Sequence, residues 1–583
     1  MYGGILKIAN WKHYWLILAA GIVLLAGLSA AETRSTADTV IINARIYTVN
    51  SRQPWASAVA IGGEKILAVG NVDDVAPYRS KTTRVIDAGG RLVLPGFTDC
   101  HIHFMDGSLG LTEVDLNGAA TIEEIQRRVK KYAEAHPDLP WILGMGWTYP
   151  TFGASGLPNK KILDDVVADR PVFFDAFDGH SSWANSKALA MAGITRNTPD
   201  PPNGVIVRDA NGEATGALKE AAGDLVANVV PKPTREQRLD ALRRGLREAN
   251  RFGLVRVHSA GQDFEYLDLY DELRRKGELT VRFYVAYFLD PPALTPGALD
   301  QIERGNHQYH DDWISTGAVK TMLDGVVEAH TAAMLTPYSD DSSQTGKLFW
   351  DPEKYRQAVD ELERRGQQIF THAIGDRAVR LALDTYQWVA EKEHLQDARP
   401  RIEHIETITA EDIPRFGSLR VIASFQPLHA YPDEDTLGNW ARGAGPDREQ
   451  RAWVWRSIEN SGGHLAFGSD WPVVTLNPWP GVQTALTRQT ADGTPAGGFL
   501  PQERISLEDA IKGYTLGAAF AGRREKTEGS IEPGKLADLI VLSQDLFKIE
   551  PNRIGKTEVL LTIVGGKVVY EAPEWKPAAQ EKP

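Results

Sequence analysis

The sequence predicts an α/β fold: a TIM-like (β/α)8 barrel, flanked by a β-sandwich that both chain ends form, with an insertion after the first barrel strand. Three observations carry this prediction. Apolar, strand-like runs alternate with amphipathic helical segments through the middle of the chain, as in parallel α/β proteins. Short β-rich runs, some separated by glycine pairs, occur near both ends. Polar side chains follow the central runs at their carboxyl ends, where barrel enzymes build their sites.

The size and charge of the chain limit the classes of function. A length of 583 residues suits a large barrel with accessory parts. Hydrophobic residues make up 42% and charged residues 24%, which is typical of a globular protein. The net charge is -13 and no dense Lys/Arg cluster occurs, so we expect no nucleic-acid partner. A single cysteine, Cys100, excludes an intrachain disulfide, so stability must come from the core.

The N-terminal segment, residues 1–31, is predicted to be a signal peptide. Lys7, Lys12 and His13 precede an apolar run at 14–28, and small residues follow it. The run is shorter than the ~20 apolar residues of a spanning helix. We therefore expect an exported mature protein, periplasmic or extracellular, that starts near Ala31 or Glu32 and has no stable membrane span. An uncleaved N-terminal helix that anchors the chain is the alternative.

The two ends of the mature chain are expected to form one β-sandwich. Residues 32–95 contain short strand-like runs, which we assign to a small antiparallel sheet, at 39–42, 58–61, 65–69 and 91–94. Residues 521–572 return to the same pattern, with runs at 537–542 and 559–564 and a hairpin at 565–570. The final segment, 573–583, is rich in Pro, Lys, Glu and Ala and is predicted to be a disordered tail.

Residues 96–520 are predicted to form the barrel. They contain nine strand-like runs, whereas a closed barrel takes eight. The connection after the first run is too long for a single crossover, which indicates an inserted subdomain at about 106–250 that includes the run at 172–177. The eight barrel strands are then expected at 97–103, 254–258, 281–287, 318–323, 367–372, 401–405, 421–425 and 465–470.

Candidate metal ligands begin on barrel strand one. His101 and His103 are two residues apart on a strand, so both side chains point to the same side and are spaced to chelate one ion. Cys100 points the other way and is expected to pack against the helices. On strand four, Lys320 faces inward from an apolar strand, where its charge is costly unless it is neutralised or changed.

Strands five, six and eight add imidazoles and carboxylates. Strand five ends with His372, strand six contains Glu403, His404 and Glu406, and strand eight ends with Asp470. Imidazole and carboxylate groups that converge at one barrel mouth are the ligands that Zn²⁺ prefers. The sequence therefore predicts a site for a divalent metal, with zinc as the expected ion.

These residues, together with longer segments, resemble the amidohydrolase superfamily. The segment 94–103, which contains the His-x-His pair, resembles the opening of that family's pattern, and the segment 529–539 resembles the part that closes its β-sandwich. The inserted segment 178–187, and the Asp324-Gly325 pair after the lysine, point to the branch that includes N-substituted formamide deformylases. The resemblance covers almost the whole mature chain.

The resemblance implies a division of the metal ligands. His101 and His103 would hold a first, more buried ion together with Asp470. His372 and His404 would hold a second ion.

It also implies the roles of Lys320 and Asp470. Lys320 would be N6-carboxylated and bridge them, and an unmodified lysine with a single ion is the alternative. Asp470 would act as the general base that takes the proton of the attacking water.

Further residues are candidates for contact with the substrate. We expect His180, on the insertion, to lie over the barrel mouth and to reach the substrate carbonyl as a catalytic residue. The alternative is that its neighbours merely cap a turn and a helix. For the aromatic candidates packing is the alternative, and for Asp376 it is helix capping. The other candidate substrate-binding residues are Trp147, Trp183, Asp324, Asp376 and Trp471.

The pattern predicts a metal-dependent hydrolase that cleaves a carbon–nitrogen bond outside peptides. Its substrate would be a small amide, formamide or cyclic imide-like molecule, attacked by metal-activated water with Asp470 as base. One alternative is an esterase, lactonase or carbamate hydrolase on the same site. Another is an exported binding protein without turnover. A homodimer is possible on either view.

Overall fold

The computed structural model describes Met1 and residues 35–394 and 397–575. Apart from Met1, the predicted signal peptide lies outside the described residues, as does the predicted tail from residue 576 onward. Among the described helices, none is both long enough and apolar enough to cross a membrane.

Eight parallel strands form the predicted barrel, in sequence order around a nearly closed sheet. Most of their residues are buried because helices cover the outside and side chains fill the interior. Strand eight meets strand one through a hydrogen bond from Asp470 N to His101 O, 2.7 Å long. The strands are Phe97–Ile102, Leu254–Ser259, Arg282–Phe288, Ile314–Met322, Gln368–Ala373, Arg401–His404, Ile422–Phe425 and His464–Phe467.

Helices pack their apolar faces onto the barrel and form the largest hydrophobic core with it. Arg235–Arg251 shows how such a helix begins: Thr234 and Gln237 form a capping box that satisfies its first backbone N–H groups. The other α-helices of four or more residues between barrel strands one and eight, outside the inserted sheet, are Phe104–Gly110, Leu267–Arg275, Pro296–Gln308, Pro352–Arg364, Asp376–Glu393, Ile413–Leu419, Ala441–Ala444, Pro446–Glu449 and Trp455–Asn460. Pro478–Thr487, Leu507–Gly513 and Leu516–Ala521 follow strand eight.

Two sheets beside the barrel share one hydrophobic core. The first contains Thr39–Ile42, Ala58–Gly62, Lys65–Gly70 and Arg84–Asp87. The second joins both chain ends, because Leu92–Pro95 pairs antiparallel with Leu539–Leu542. The remaining strands of the second sheet are Arg45–Tyr47, Trp55–Ala56, Val559–Val564 and Lys567–Glu571.

The prediction of one small antiparallel sheet in the N-terminal part was wrong. Thr39–Ile42 pairs antiparallel with Ala58–Gly62 but parallel with Arg84–Asp87. Parallel pairing needs a crossover, and the short helix Val72–Val75 lies in that connection. Leu92–Pro95 leaves this sheet altogether and pairs in the second one.

The segment after barrel strand one contains a sheet of six strands. Val172–Ala176 lies in this sheet and not in the barrel, as the strand count required. Residues up to about 250 were predicted to belong to the insertion, but Arg235–Arg251 packs its leucines into the barrel core. The other strands of the inserted sheet are Val114–Asp115, Ile142–Trp147, Ser181–Ala184, Gly204–Arg208 and Ala214–Glu220. Its α-helices of four or more residues are Ile122–Ala135, Lys160–Asp164, Ser186–Met191 and Asp224–Ala227.

Candidate metal centre and active-site cavity

Four of the predicted metal ligands meet at the carboxyl ends of barrel strands one, six and eight. Asp470 Oδ1 lies 3.4 Å from His101 Nε2 and 3.2 Å from His103 Nε2. Asp470 Oδ2 lies 3.8 Å from His404 Nδ1. His101, His404 and Asp470 are buried, and each places one potential ligand atom within 4.8 Å of the others. The chain can therefore present three ligands to a single ion at this point.

The hydrogen bonds of His101 show that this cluster suits a metal ion. His101 Nδ1 lies 2.6 Å from Glu403 Oε2, so Nδ1 carries the proton and Nε2 presents a lone pair. Burial, together with Lys320, lowers the pKa of His101 to about 4, which keeps the ring neutral. A neutral imidazole nitrogen thus faces the carboxylate of Asp470, and neither supplies a proton to the other. Such a pair of acceptors fits a divalent cation.

Glu403 is itself fixed by a second ion pair. Arg401 Nε donates to Glu403 Oε1 over 2.8 Å, and both side chains are fully buried. Burial alone would raise the pKa of Glu403, but Arg401 and His101 hold it well below its usual range. The carboxylate therefore stays ionised and continues to accept the Nδ1 proton of His101.

Lys320 lies beside the same cluster. Its Nζ is 3.3 Å from His101 Nε2, and the side chain is buried. Burial lowers the pKa of Lys320 from its usual range, although Glu403 and Asp470 oppose the shift. A lysine whose amine is more easily deprotonated is a better nucleophile, and carboxylation would turn the cation into an anion suited to bind metal.

His372 completes the set of predicted ligands. Its ring centre lies 4.5 Å from that of His404 and 5.7 Å from that of His180. His372 Nε2 lies 3.3 Å from the carbonyl oxygen of Gly325, which leaves Nδ1 with a lone pair if Nε2 donates there. The structure thus brings together all six predicted ligands, whose binding of metal stays a prediction.

The backbone at two of these positions is strained. Asp470 has a φ of 61° and His404 a φ of 75°, and Ile405 follows with 51°. Residues other than glycine adopt this left-handed region rarely, at a cost of about 1–3 kcal/mol each. The surrounding structure must therefore fix these strand ends, and such strain is concentrated at functional sites.

A cavity of about 850 Å³ opens above the cluster. Barrel strand ends supply His372, His404 and Asp470 to its lining. The insertion supplies Asp178 and His180, which come from the turn between two strands of its sheet. The predicted position of His180 at the barrel mouth is thus what the structure shows, while its role in catalysis stays a prediction.

His180 is held as a charged donor. Its Nδ1 lies 3.0 Å from Glu220 Oε2. Burial alone would lower the pKa of His180, but Glu220 and Asp178 raise it to about 9. An imidazolium fixed in this way on the cavity wall can donate a hydrogen bond to a carbonyl oxygen from its second nitrogen.

Of the five other predicted substrate contacts, only Trp471 lines the cavity. Trp147 and Trp183 are fully buried in the core of the inserted sheet, because both rings pack among its apolar side chains. Asp324 is also fully buried, and it accepts hydrogen bonds from the backbone N–H groups of Ala333, Ile374 and Gly375.

Asp376 is likewise occupied elsewhere. It accepts the backbone N–H of Leu335 and pairs with Arg448 Nε at 3.1 Å. Helix capping does not explain it either, since the N-cap is Gly375 and Asp376 lies in the first turn. Asp324 and Asp376 therefore shape the loops after strands four and five without lining the cavity.

His429, a histidine after barrel strand seven, also lines the cavity and was not predicted from the sequence. His429 Nε2 lies 3.8 Å from Asp470 Oδ2, and its Nδ1 lies 3.9 Å from Glu406 Oε1. Its ring stacks parallel to that of His404, with centres 5.8 Å apart. The signal was available: Gln426-Pro427-Leu428-His429 directly follows a strand-like run, at the position where the other strands place their ligands.

Four carboxylates form one side of the cavity, here called the acidic wall: Asp178, Glu328, Glu406 and Asp435. Burial raises the pKa of Glu406 to about 8 and that of Asp435 to about 7. Burial and repulsion from Glu406 and Asp435 raise the pKa of Glu328 well above its usual range. The wall is therefore an electrostatically unfavourable group when no positive charge lies against it.

Comparison with known proteins shows relatives that match nearly the whole chain. The sequence profile of the amidohydrolase family matches residues 84–570. The chain is 32% identical over 547 residues to the protein LONG AFTER FAR-RED 3 of Arabidopsis thaliana, and the match covers 92% of each chain. It is 26% identical to the N-substituted formamide deformylase of Arthrobacter pascens, over 92% of this chain and 98% of that one.

A solved structure gives the same result for the fold. The crystal structure of an uncharacterised metal-dependent hydrolase from Pyrococcus horikoshii superimposes with a TM-score of 0.70 and 25% sequence identity. The match covers 88% of this chain and 99% of that one.

Proposed function

The chain belongs to the amidohydrolase family, and on that premise we propose that it hydrolyses a carbon–nitrogen bond of a small amide, formamide or cyclic imide-like substrate. That the chain is a metal-dependent hydrolase with a barrel fold follows from its family and from its structural relatives. The observation that supports the proposal is the buried cluster of His101, His404 and Asp470 beneath an open cavity. The deformylase relative supports an amide-type bond.

The residues that would hold the metal are the six predicted ones. His101, His103 and Asp470 are grouped around one position, and His372 and His404 adjoin it. We propose zinc as the ion, because imidazole and carboxylate ligands suit it. A divalent ion bound there lowers the pKa of water and polarises a carbonyl oxygen. Lys320, if carboxylated, would add an anionic ligand between the two halves of the set.

Asp470 serves as the general base in this proposal. Burial would raise the pKa of Asp470, but the surrounding histidines, with His103 in hydrogen-bond contact, hold it well below the usual range. Asp470 is therefore ionised and ready to accept a proton from the attacking water. The Oδ2 atom is the better placed acceptor, since it faces His429 and the cavity side of the cluster while Oδ1 faces His101 and His103. The proton then passes to the leaving nitrogen.

His180 stabilises charge on the substrate in this proposal. It lies on the cavity wall near His372, with the ring centres 5.7 Å apart, and is fixed by Glu220. As the scissile carbonyl becomes tetrahedral, its oxygen gains negative charge, and a preorganised donor there lowers the barrel enzyme's activation barrier. The protein acts after export in this proposal, on the evidence of its N-terminal sequence alone.

A substrate panel with the zinc-loaded mature protein tests this function. The panel contains N-formyl, N-acyl, hydantoin-like and ester compounds, and products are detected by mass spectrometry. We expect cleavage within one amide class, a loss of roughly 10²–10⁴-fold in rate in Asp470→Asn, and a loss of roughly 10²-fold in kcat in His180→Ala.

The same assay contains its controls. His330→Ala removes a histidine that pairs with Asp340 away from the cavity, and it should leave the rate unchanged. Chelation should abolish turnover, and added zinc should restore it. Turnover of esters alone would favour the esterase alternative. Full activity after metal removal, or in Asp470→Asn, would refute the mechanism.

A further inference from the structure

The acidic wall faces one positive charge of the described chain, the His180 imidazolium, which is itself paired with Glu220. Within residues 35–394 and 397–575, neither Lys nor Arg forms an ion pair with Asp178, Glu328, Glu406 or Asp435. The one ion-pair contact among the four is with an imidazole, His429 Nδ1, at 3.9 Å from Glu406 Oε1. Buried carboxylates in proteins are paired, coordinated or protonated, and a cation that enters this cavity meets four carboxylates that no lysine or arginine of the described chain occupies.

Neutral donors satisfy only part of this wall. Tyr149 Oη donates to Asp178 Oδ2 over 2.9 Å, and Asn439 Nδ2 donates to Asp435 Oδ1 over 2.9 Å. Trp440 Nε1 donates to Glu406 Oε2 over 2.8 Å. These bonds orient the carboxylates, but none neutralises a charge.

Glu406 gives the most specific indication of a ligand. Glu406 is only 6% exposed, and it lines the cavity. Trp440 occupies Oε2, whereas Oε1 accepts no hydrogen bond from the described part of the chain. Oε1 is not one of the buried atoms that lack a partner, so it is reached from the cavity and is available to accept a hydrogen bond from a donor that enters there.

The carboxylates of the wall do not have the spacing of a preformed metal site. In the described residues, the only group of three or more potential ligand atoms within 4.8 Å of one another is that of His101, His404 and Asp470. The carboxylates of the wall are thus too far apart to enclose one small ion together. An organic cation with several N–H donors can reach separate carboxylates at once.

We propose that the substrate carries a positively charged nitrogen group, a primary ammonium or a guanidinium, at the end away from the scissile bond, and that the acidic wall binds it. This inference rests on the proposed function, since it places the reacting end at Asp470. The charge of the whole cavity agrees with it: the lining contains eight carboxylate side chains, one lysine and no arginine.

The geometry also limits the length of the substrate. His429 stands between the two ends, with its ring nitrogens 3.8 Å from Asp470 Oδ2 and 3.9 Å from Glu406 Oε1. The reacting carbonyl and the cation are therefore separated by little more than the width of one imidazole and its contacts. A short aliphatic spacer between the carbonyl and the cation meets this requirement, whereas a long one does not.

A binding experiment that needs no turnover tests the cation site. The probes are n-butylammonium, n-butylguanidinium and uncharged n-butanol, titrated calorimetrically into the zinc-loaded protein. We expect at least one cation to bind tenfold or more tightly than butanol. Glu406→Gln keeps an oxygen for Trp440 and removes the charge, and it should weaken cation binding about tenfold. Glu328→Gln removes the charge of a different carboxylate of the wall and should also weaken cation binding about tenfold.

The matched control is Glu363→Gln. Glu363 is also a buried carboxylate whose pKa burial raises, to about 8, but it does not line the cavity. This variant should bind the cations as the unmodified protein does. Equal affinity for butanol and both cations, or cation binding unaffected by Glu406→Gln and Glu328→Gln in folded protein, would overturn the inference.

A turnover experiment separates this inference from the proposed function. Mono-N-formyl and mono-N-acetyl alkanediamines of two to six carbons are compared with N-alkylamides of equal length, and ω-aminoacyl amides with their acyl analogues. We expect the charged compounds to have a kcat/KM ten- to a hundredfold higher than their neutral counterparts. Glu406→Gln should remove that preference by raising the KM for the charged compounds. Equal cleavage of charged and neutral amides would contradict the cation site but agree with the proposed amide hydrolysis. Cation binding without cleavage of any amide would contradict the proposed amide hydrolysis but agree with the cation site.

Discussion

His101 is the residue on which the metal centre depends most directly. Its Nε2 can bind a metal only while Nδ1 holds the proton, and Glu403 enforces that tautomer. Arg401 in turn keeps Glu403 ionised. The buried ion pair of Arg401 and Glu403 contributes little net stability by itself, and its effect is to fix one metal ligand.

Glu403→Gln should weaken metal binding more than it weakens the fold. An amide can orient its oxygen toward His101 Nδ1, but it lacks the charge that makes the ring a strong ligand, and it leaves Arg401 buried without a counterion. We expect zinc affinity to fall roughly 10–100-fold. Competition of the protein with a zinc-binding dye measures it.

Glu528→Gln is the matched control for that variant. Glu528 forms a buried ion pair with Arg256, with Nε and Oε1 2.8 Å apart, and neither residue belongs to the cluster of metal ligands. The two variants should lose comparable thermal stability, while zinc affinity should change only in Glu403→Gln. An equal loss of affinity in both would show a general loosening of the barrel and not a ligand effect.

Single site residues could be predicted from the sequence where the spacing between them determines which way their side chains point. A His-x-His pair on a strand fixes two side chains on one face, so His101 and His103 could be assigned. Trp147 and Trp183 were misjudged because an aromatic residue in a strand does not reveal which face is buried. Glu406 was noted only as part of a strand end, since its environment comes from Trp440 and the distant insertion.

At the scale of the elements, the contact between barrel strands eight and one positions the site. Gly468 lies where these strands meet. A Cβ at this position would stand 2.5 Å from His101 N and 2.7 Å from Asp99 Oδ1, closer than atoms can pack. Glycine is therefore needed so that Asp470 and His101 can reach one another across the closing strands.

Gly468→Ala should move strand eight away from strand one and separate those two ligands. Because the surrounding backbone is packed, we expect a shift of a few tenths of an ångström or more, with kcat/KM reduced roughly 10²-fold, as for misplaced catalytic groups. Steady-state kinetics with the substrate from the panel measures it. Gly297→Ala, where the new Cβ meets nothing closer than 4.0 Å, should have no such effect. Wild-type activity in Gly468→Ala would contradict this account of the closure.

The barrel could be predicted from the sequence because each of its strands is a buried apolar run between amphipathic helices. The observed strands lie within four residues of the predicted ones at each end. The inserted sheet could not be predicted in the same way. Its strands Val114–Asp115 and Ser181–Ala184 are too short to show a period, and long-range pairing defines them. The parallel pairing of Thr39–Ile42 with Arg84–Asp87 was missed for the same reason.

At the scale of the whole molecule, the first and last parts of the chain are one structural unit. Ile41 and Val59 share a hydrophobic core with Leu539, Ile563 and the ring of Trp575. Neither end can bury these side chains without the other. The sandwich therefore fastens the two ends of the barrel sequence to each other.

A chain that ends after residue 538 should fail to fold stably. It loses three strands of the six-stranded sheet and leaves Leu92–Pro95 as an exposed, apolar edge. Each buried Leu or Ile that is lost contributes about 1.5–3 kcal/mol, so we expect aggregation and no cooperative unfolding transition. Calorimetry and the soluble yield measure this. A chain that ends at Trp575 retains every described residue of the sandwich and should unfold at the unchanged temperature; the same loss there would contradict the argument.

The pairing of the two ends also sets an order of events during synthesis. Val93 pairs with Val541, which the ribosome adds about 450 residues later. At a rate of roughly 5–20 residues per second, that interval lasts roughly 20–90 s. Throughout it the newly made strand Leu92–Pro95 has no partner on that side, although the strand that follows it already begins the barrel. The sandwich is thus the last part of the molecule that can be completed, and a chain released early carries an unpaired β-edge into the cell.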